Sequence, residues 1–220
     1  MHTFNFSLEH IIEFSWSKFK EKPFFWIVIF TCILLAQNII DSKLGPLITM
    51  IDIKTMVVSF NHDTRRIIFE FILLYFSTSI IKTTIQFMQG KNVDYRMLLN
   101  LELKVFICYL LGLFFMGFII GVGLMLFIFP GLYLAVRLIF VPYLIIDGNT
   151  SIVYVFKKSW LMTHGNEWKI CLFILTITGV LLIAEMFGQI VPLFGQIVPL
   201  VVISFLSLVK AYFYVNFLKD

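Results

Sequence analysis

The chain has 220 residues, of which 60% are hydrophobic and only 14% charged, with a mean hydropathy of +0.96 and a formal net charge of +4. A soluble domain of this length cannot hide so much apolar surface, since ordinary usage is nearer half apolar and a quarter charged. The modest basic excess lies beside apolar blocks, where it reads as a topology signal and not as a nucleic-acid footprint.

Six apolar blocks are long enough, at roughly 20 residues each, to cross a bilayer. They are predicted at Phe24–Ile40, Ile67–Met88, Val105–Phe129, Leu132–Ile146, Ile170–Gly188 and Ile197–Leu218. Backbone at membrane depth must satisfy its own hydrogen bonds, and runs such as Phe24 to Leu35 do not alternate as barrel strands would. The expected fold class is therefore an all-α integral membrane bundle, a single polytopic domain over residues 1–220. A charged lead precedes the first block with no small-residue cleavage site, so that block reads as an uncleaved span.

Before the first span, Ser7 to Lys22 carries Leu8, Ile11, Ile12 and Phe19 on one side and ends in lysines. Before the fifth, Ser151 to His164 places Ile152, Val155, Phe156 and Trp160 at helical spacing beside Lys157 and Lys158. Both are expected to be amphipathic helices on the cytoplasmic side. They either bind the membrane interface through Lys18, Lys20, Lys22, Trp16, Lys157, Lys158, Trp160 and Trp168, or pack as stubs on the ends of the spans. A shift of 144 positions pairs Ser7 with Ser151, Ile11 with Val155, Ser15 with Ser159 and Trp16 with Trp160. With a weaker copy near Val93, this suggests a threefold helix-plus-hairpin repeat over 7–88, 93–146 and 151–218.

In the third span, Gly117-x-x-x-Gly121 is expected to give a smooth face for close helix contact. Pro130-Gly131 breaks the chain before the short fourth block, whose Pro142 and Arg137 predict a tilt, a kink or a re-entrant path. At the last turn, Phe187 to Leu193 is repeated at once by Phe194 to Leu200, which reads as an insertion in a tolerant loop. Lys and Arg fall mostly on one side, from Lys18, Lys20 and Lys22 through Lys91, Arg96, Lys104, Lys157, Lys158 and Lys169 to Lys219. That bias predicts both termini in the cytoplasm.

No nucleotide cradle, zinc-ligand pattern or nucleophile elbow is present, and Cys32, Cys108 and Cys171 sit singly in apolar blocks. No catalytic residue, metal or cofactor is expected. The informative polar residues are ionisable ones inside spans: Glu70, Lys82, Arg137, Glu185 and Lys210. Arg137 lies six positions past the Pro-Gly turn, about 9 Å below the outer boundary at 1.5 Å per residue. Glu185 sits at similar depth, so the two are expected to pair, with Glu70 as the substitute partner. Lys82 and Lys210 lie nearer the inner face and can snorkel.

The stretch from Phe129-Pro-Gly-Leu-Tyr-Leu-Ala-Val-Arg137 through Phe140-Val-Pro-Tyr143, Asp147-Gly148 and Lys157-Lys-Ser-Trp160 to His164-Gly165 resembles a bacterial family of uncharacterised six-span membrane proteins. Relatives of that family include the membrane domain of some glycerophosphodiester phosphodiesterases, and the Gly90-Lys91 turn also fits. The resemblance implies a bacterial cytoplasmic membrane and a role near lipid metabolism. It supplies no catalytic residue, because the acidic metal ligands of the soluble phosphodiesterase domain are missing here. Two functions follow as expectations. One is a non-enzymatic membrane module that engages anionic lipid or another membrane protein, in an oligomer where a partner requires it. The other is a small-solute or lipid transporter with Arg137 and Glu185 in its path.

Overall fold

A computed structural model describes residues 8–45, 48–52, 57–60, 63–190 and 197–219. A short helix, α1 (Leu8–Glu21), leads into α2 (Pro23–Leu44) and α3 (Thr64–Met88), with an antiparallel pair of strands, β1 (Ile48–Asp52) and β2 (Val57–Phe60), between them. A 3₁₀ turn (Tyr95–Leu99) precedes α4 (Leu103–Leu126), α5 (Ile128–Arg137) and α6 (Val141–Ile146). Then α7 (Ile152–Thr163) leads into α8 (Glu167–Ile190) and α9 (Ile197–Lys219). Six helical segments are long and apolar enough to cross a membrane, with α5 and α6 together forming the fourth. The β1–β2 pair was not expected. The order of short helix, span, span recurs three times along the chain.

Local chemistry sets these boundaries. Pro23 opens α2, where its missing N–H costs nothing. Asp63 caps α3 by accepting from the Arg65 N–H at 2.9 Å. Gly90 takes φ +85° in the turn after α3, a conformation that side chains with a Cβ resist. The sharp turn between α4 and α5 falls at Phe127, in extended backbone (φ −161°), and not at Pro130-Gly131, which lie in the first turn of α5. Pro is tolerated there because first-turn N–H groups have no partner in the helix. The fourth span is kinked, as expected: α5 stops at Arg137, and α6 restarts with Pro142 in its first turn.

The spans alternate in direction. One end of the bundle, here the cap end, carries α1, the 3₁₀ turn, α6 and α7; the opposite, hairpin end carries β1–β2. Burial is concentrated toward the cap end, where Ile11, Trp26, Ile85, Leu144, Ile145, Val155, Ile170 and Tyr214 are almost wholly enclosed. Near the hairpin end, Met125, Phe127 and Phe129 are exposed. Lipid tails are as apolar as these side chains, so water exclusion does not drive them together.

α1 and α7 both pack on the spans with matching faces. Ile11, Ser15 and Phe19 of α1 are 1%, 0% and 5% exposed, and their partners at +144, Val155, Ser159 and Thr163, are each 0% exposed. The i, i+4, i+8 stripe points inward in both, while Trp16 and Trp160 stay partly outside. Phe14 stacks on Tyr212 of α9 at 4.3 Å, and Phe19 meets Phe205 edge-on. Residues 191–196 of the tandem Phe187–Leu200 repeat lie outside the described residues.

The expected Gly117/Gly121 contact is not made. An added Cβ at either would meet nothing within 4 Å. The close approaches are at Gly112, against Ile145 and Val141, and at Gly123, against Leu134 and Gly131. At roughly 100° per residue, Gly112 and Gly123 fall within about 20° of each other, while Gly117 and Gly121 point about 140° and 180° away. The four-residue spacing named a pair without saying which face meets a neighbour.

Gly131 is the most constrained of these glycines, since a Cβ there would reach the Leu124 side chain and its backbone N at 2.7 Å. Replacing Gly131 by Ala is expected to lower stability in detergent by about 1–3 kcal/mol, as overpacking does. Gly117→Ala should leave stability unchanged or raise it, by up to about 1 kcal/mol from helix propensity. Thermal unfolding of the two purified variants checks the contrast, and equal losses would refute it.

Candidate functional site

Arg137 ends α5, and its position there is favourable because a cation complements the negative end of the helix. Its side chain does not run toward the hairpin end, where Glu70 and Glu185 were expected to meet it. α7 returns alongside the α5–α6 kink and brings its last turn, together with the first residue of α8, onto Arg137. The guanidinium donates from Nε and Nη2 to the Tyr133 hydroxyl at 2.8 and 2.7 Å, and from Nη1 to the Trp160 carbonyl at 3.1 Å. Nη2 also reaches Glu167 Oε1 at 2.8 Å and His164 Nδ1 at 3.2 Å. As an acceptor, that Nδ1 requires a neutral imidazole with its proton on Nε2. The Tyr133 and Trp160 rings flank the guanidinium carbon at 5.1 and 4.7 Å, a cation–π sandwich.

The backbone is held as well. Ser159 Oγ donates to the Arg137 carbonyl at 2.8 Å, with Thr163 Oγ1 at 3.5 Å. Arg137 is 3% exposed, and every guanidinium nitrogen has a partner within the chain. A charge inside a span costs about 2.5–3.5 kcal/mol on insertion scales. Here that cost is offset by a carboxylate, a phenol, a carbonyl and two ring faces.

The expected Arg137–Glu185 pair is therefore corrected to Arg137–Glu167. Glu185 lies eighteen positions further along α8 (167 to 185), about 27 Å at 1.5 Å per residue. It is exposed and makes no hydrogen bond or ion pair among the described residues. Glu70 is committed elsewhere. Near the hairpin end, Arg66 is 1% exposed and pairs with Asp41 at 2.6 Å and Glu70 at 2.7 Å, while donating to the Gly45 carbonyl at 2.7 Å. Gln37 closes the group by donating to Glu70 at 3.2 Å. Arg66 precedes the apolar block predicted from Ile67, but it sits one helical turn before Glu70, the spacing that lets the two meet.

The expected interfacial residues divide. Lys18 bonds Glu21 at 2.7 Å, and Lys20 and Lys158 lie over the rings of Trp16 and Tyr154 at 5.4 and 5.8 Å. Lys157 is exposed, and Trp168 is 71% exposed. Lys22 instead turns inward and donates to the Val93 carbonyl at 3.0 Å, tying the α1–α2 turn to the loop after α3. Trp160 serves Arg137 with one face. No cluster of three metal-ligating side chains occurs among the described residues. A cavity of about 520 Å³ between α2 and α3 is walled by apolar side chains and the Tyr95 ring.

The Arg137 assembly predicts a coupled energetic unit. Arg137→Gln should destabilise the protein by about 3 kcal/mol, because a buried partner set loses its charge. Glu167, being partly exposed, should cost less on conversion to Gln, and the double variant should lose less than the sum by about 1–2 kcal/mol. Glu185→Gln should add independently to Arg137→Gln. A double-mutant cycle on detergent unfolding decides the matter, and strict additivity for Arg137 with Glu167 would contradict the geometry.

No protein-family model matches the chain, and neither a curated protein nor a solved structure matches it.

Proposed function

We propose that this chain is a non-enzymatic module of the bacterial cytoplasmic membrane, with its cap end and both termini in the cytoplasm, that engages anionic lipid through the outward faces of α1 and α7. The observation that carries this reading is the closure of Arg137. An arginine in a transport path needs access to solute or water, whereas this one is 3% exposed and bonded on all sides by the chain. Its tie to α7 fixes that helix at the bundle surface, with Lys157 outward on it and Trp168 outward in the first turn of α8. α1 repeats the same inward face and offers Trp16 and Lys20 outward. Cationic, aromatic helical faces are suited to the headgroup layer of an anionic leaflet. The resemblance to six-span proteins related to lipid-metabolising enzymes agrees with this role.

Orientation is tested by single cysteines in a background lacking Cys32, Cys108 and Cys171. Those at Lys22 and Asp94 should resist an impermeant thiol reagent in intact cells, and one at Asp52 should react. Labelling at Asp94 in sealed cells would invert the arrangement. The lipid role is tested by mass spectrometry of lipids retained in mild detergent. Each lysine near an anionic surface contributes about 1 kcal/mol, so Lys157→Glu with Lys158→Glu should cut anionic-lipid enrichment roughly tenfold. Unchanged enrichment would sink the lipid reading.

A further inference from the structure

Lys210 is an intramembrane cation with no counter-charge among the described residues. The two buried arginines show how this protein treats a cation kept for structure: Arg66 has two carboxylates and Arg137 has one. Lys210, half-buried on α9, makes no hydrogen bond or ion pair among the described residues. It stands between two cavities. One, of about 310 Å³, lies between the α5–α6 kink, α8 and α9; the other, of about 380 Å³, lies between α2, α3, α8 and α9. Both volumes fall in the roughly 300–1,000 Å³ range of small-ligand sites.

Three residues line both cavities: Tyr143, Leu181 and Lys210. Two of these are hydrogen-bond donors, and neither the Tyr143 hydroxyl nor the Lys210 ammonium has a partner among the described residues. The Tyr143 ring is held in place by stacking on Tyr214 at 5.3 Å, so its hydroxyl is positioned in advance. The larger cavity also shows Ser77, Thr84 and Ser207, but their protons are spent on the Leu73, Ile80 and Ser204 carbonyls of their own helices. The free donors are thus Tyr143 and Lys210 on the lining that the cavities share, with the Thr178 hydroxyl in the smaller one. No Asp or Glu lines either wall, and the remaining surface is mostly apolar.

We propose that Lys210 and Tyr143 form an intramembrane site for an amphiphile with a single oxyanion headgroup, whose apolar tail occupies the adjoining cavities. A single cation with neutral hydroxyl donors and no carboxylate fits one negative charge, supplied by a carboxylate or a phosphodiester. An ammonium without a counter-charge inside a span is costly and an apolar cavity at membrane depth admits chains, so both halves of such a molecule are accommodated. This site is separate from the outward faces of α1 and α7, and its failure would leave that reading standing.

The test is thermal unfolding of the full chain in a neutral detergent, titrated with oleate, oleyl alcohol, phosphatidylglycerol and phosphatidylcholine. A ligand that binds the folded state raises the midpoint by mass action. The wild-type midpoint should rise with oleate, with phosphatidylglycerol, or with both, and rise less with the uncharged or zwitterionic counterpart of each. A response to oleate alone identifies a carboxylate, and one to phosphatidylglycerol alone identifies a phosphodiester. Lys210→Met should weaken the anion response roughly tenfold or more, the loss of a charge-assisted hydrogen bond, while Lys210→Arg retains most of it. Tyr143→Phe should weaken it less and keep the Tyr214 stack. Lys157→Glu with Lys158→Glu should leave it unchanged. Equal wild-type responses to charged and uncharged amphiphiles would overturn the site, as would an undiminished response in Lys210→Met.

Discussion

The arrangement at the cap end depends on one residue, Arg137, held at both its backbone and its side chain. Its carbonyl closes the end of α5 and accepts from Ser159 and Thr163, which fixes the register of α7 against α5. Its guanidinium reaches past α7 to Glu167, which fixes where α8 begins. Three helices, α5, α7 and α8, are thus tied at a point where the chain would otherwise have two short, polar connections and much freedom. A hydrophobic contact could not do this inside a bilayer, because apolar side chains gain nothing there by leaving lipid. Directional bonds to a charge can, since lipid offers the guanidinium no alternative partner.

The knot also gives a physical meaning to residues that the sequence presents as scattered fragments. Arg137, the Ser159-Trp160 pair and His164 are separated by up to 27 positions (137 to 164), yet they converge on one residue, Ser159 at its carbonyl and the others at its guanidinium. The spans themselves were legible, because twenty apolar residues in succession leave few alternatives. The kink was legible in Pro142. The partners of Arg137 were not, because depth was counted from Pro130-Gly131 as if the fourth span ran straight from an outer boundary. α5 ends at Arg137, and α7 folds back beside it, so Arg137 belongs with the cap end and Glu167. The i−4 tyrosine, Tyr133, was the one partner within reach of a helical-spacing argument. Arg66 was misplaced for a similar reason: α3 begins at Thr64, three residues earlier than apolar content suggests, and this draws Arg66 into the helix beside Glu70.

The two amphipathic helices were expected either to lie on the membrane or to pack on the bundle, and both pack on the bundle. Their i, i+4, i+8 stripes are buried, and the residues between them face outward. Equivalent positions nonetheless do different work. Ser159 has a carbonyl to bond, whereas among the described residues the Ser15 hydroxyl has no partner and no arginine stands opposite α1 as Arg137 stands opposite α7. α1 is held by aromatic stacking on α9 instead. Stacking contacts are weaker and less directional than a charge-centred network. Of the two, α1 is the more readily displaced.

Charge placement separates structural cations from the one available to a ligand. Formally, Arg66 with Asp41 and Glu70 carries −1, and Arg137 with Glu167 is neutral, counting +1 for each arginine and −1 for each carboxylate. Neither set attracts a further anion. Lys210 keeps its +1 between two cavities with no carboxylate on their walls. Electrostatics in a low-dielectric interior act over longer distances than in water, so the nearest unmatched charge governs what enters. The packed cap end supplies the fixed walls: Tyr143, on α6, is held by stacking on Tyr214 of α9, which joins α6 to the helix that carries Lys210 on the shared lining.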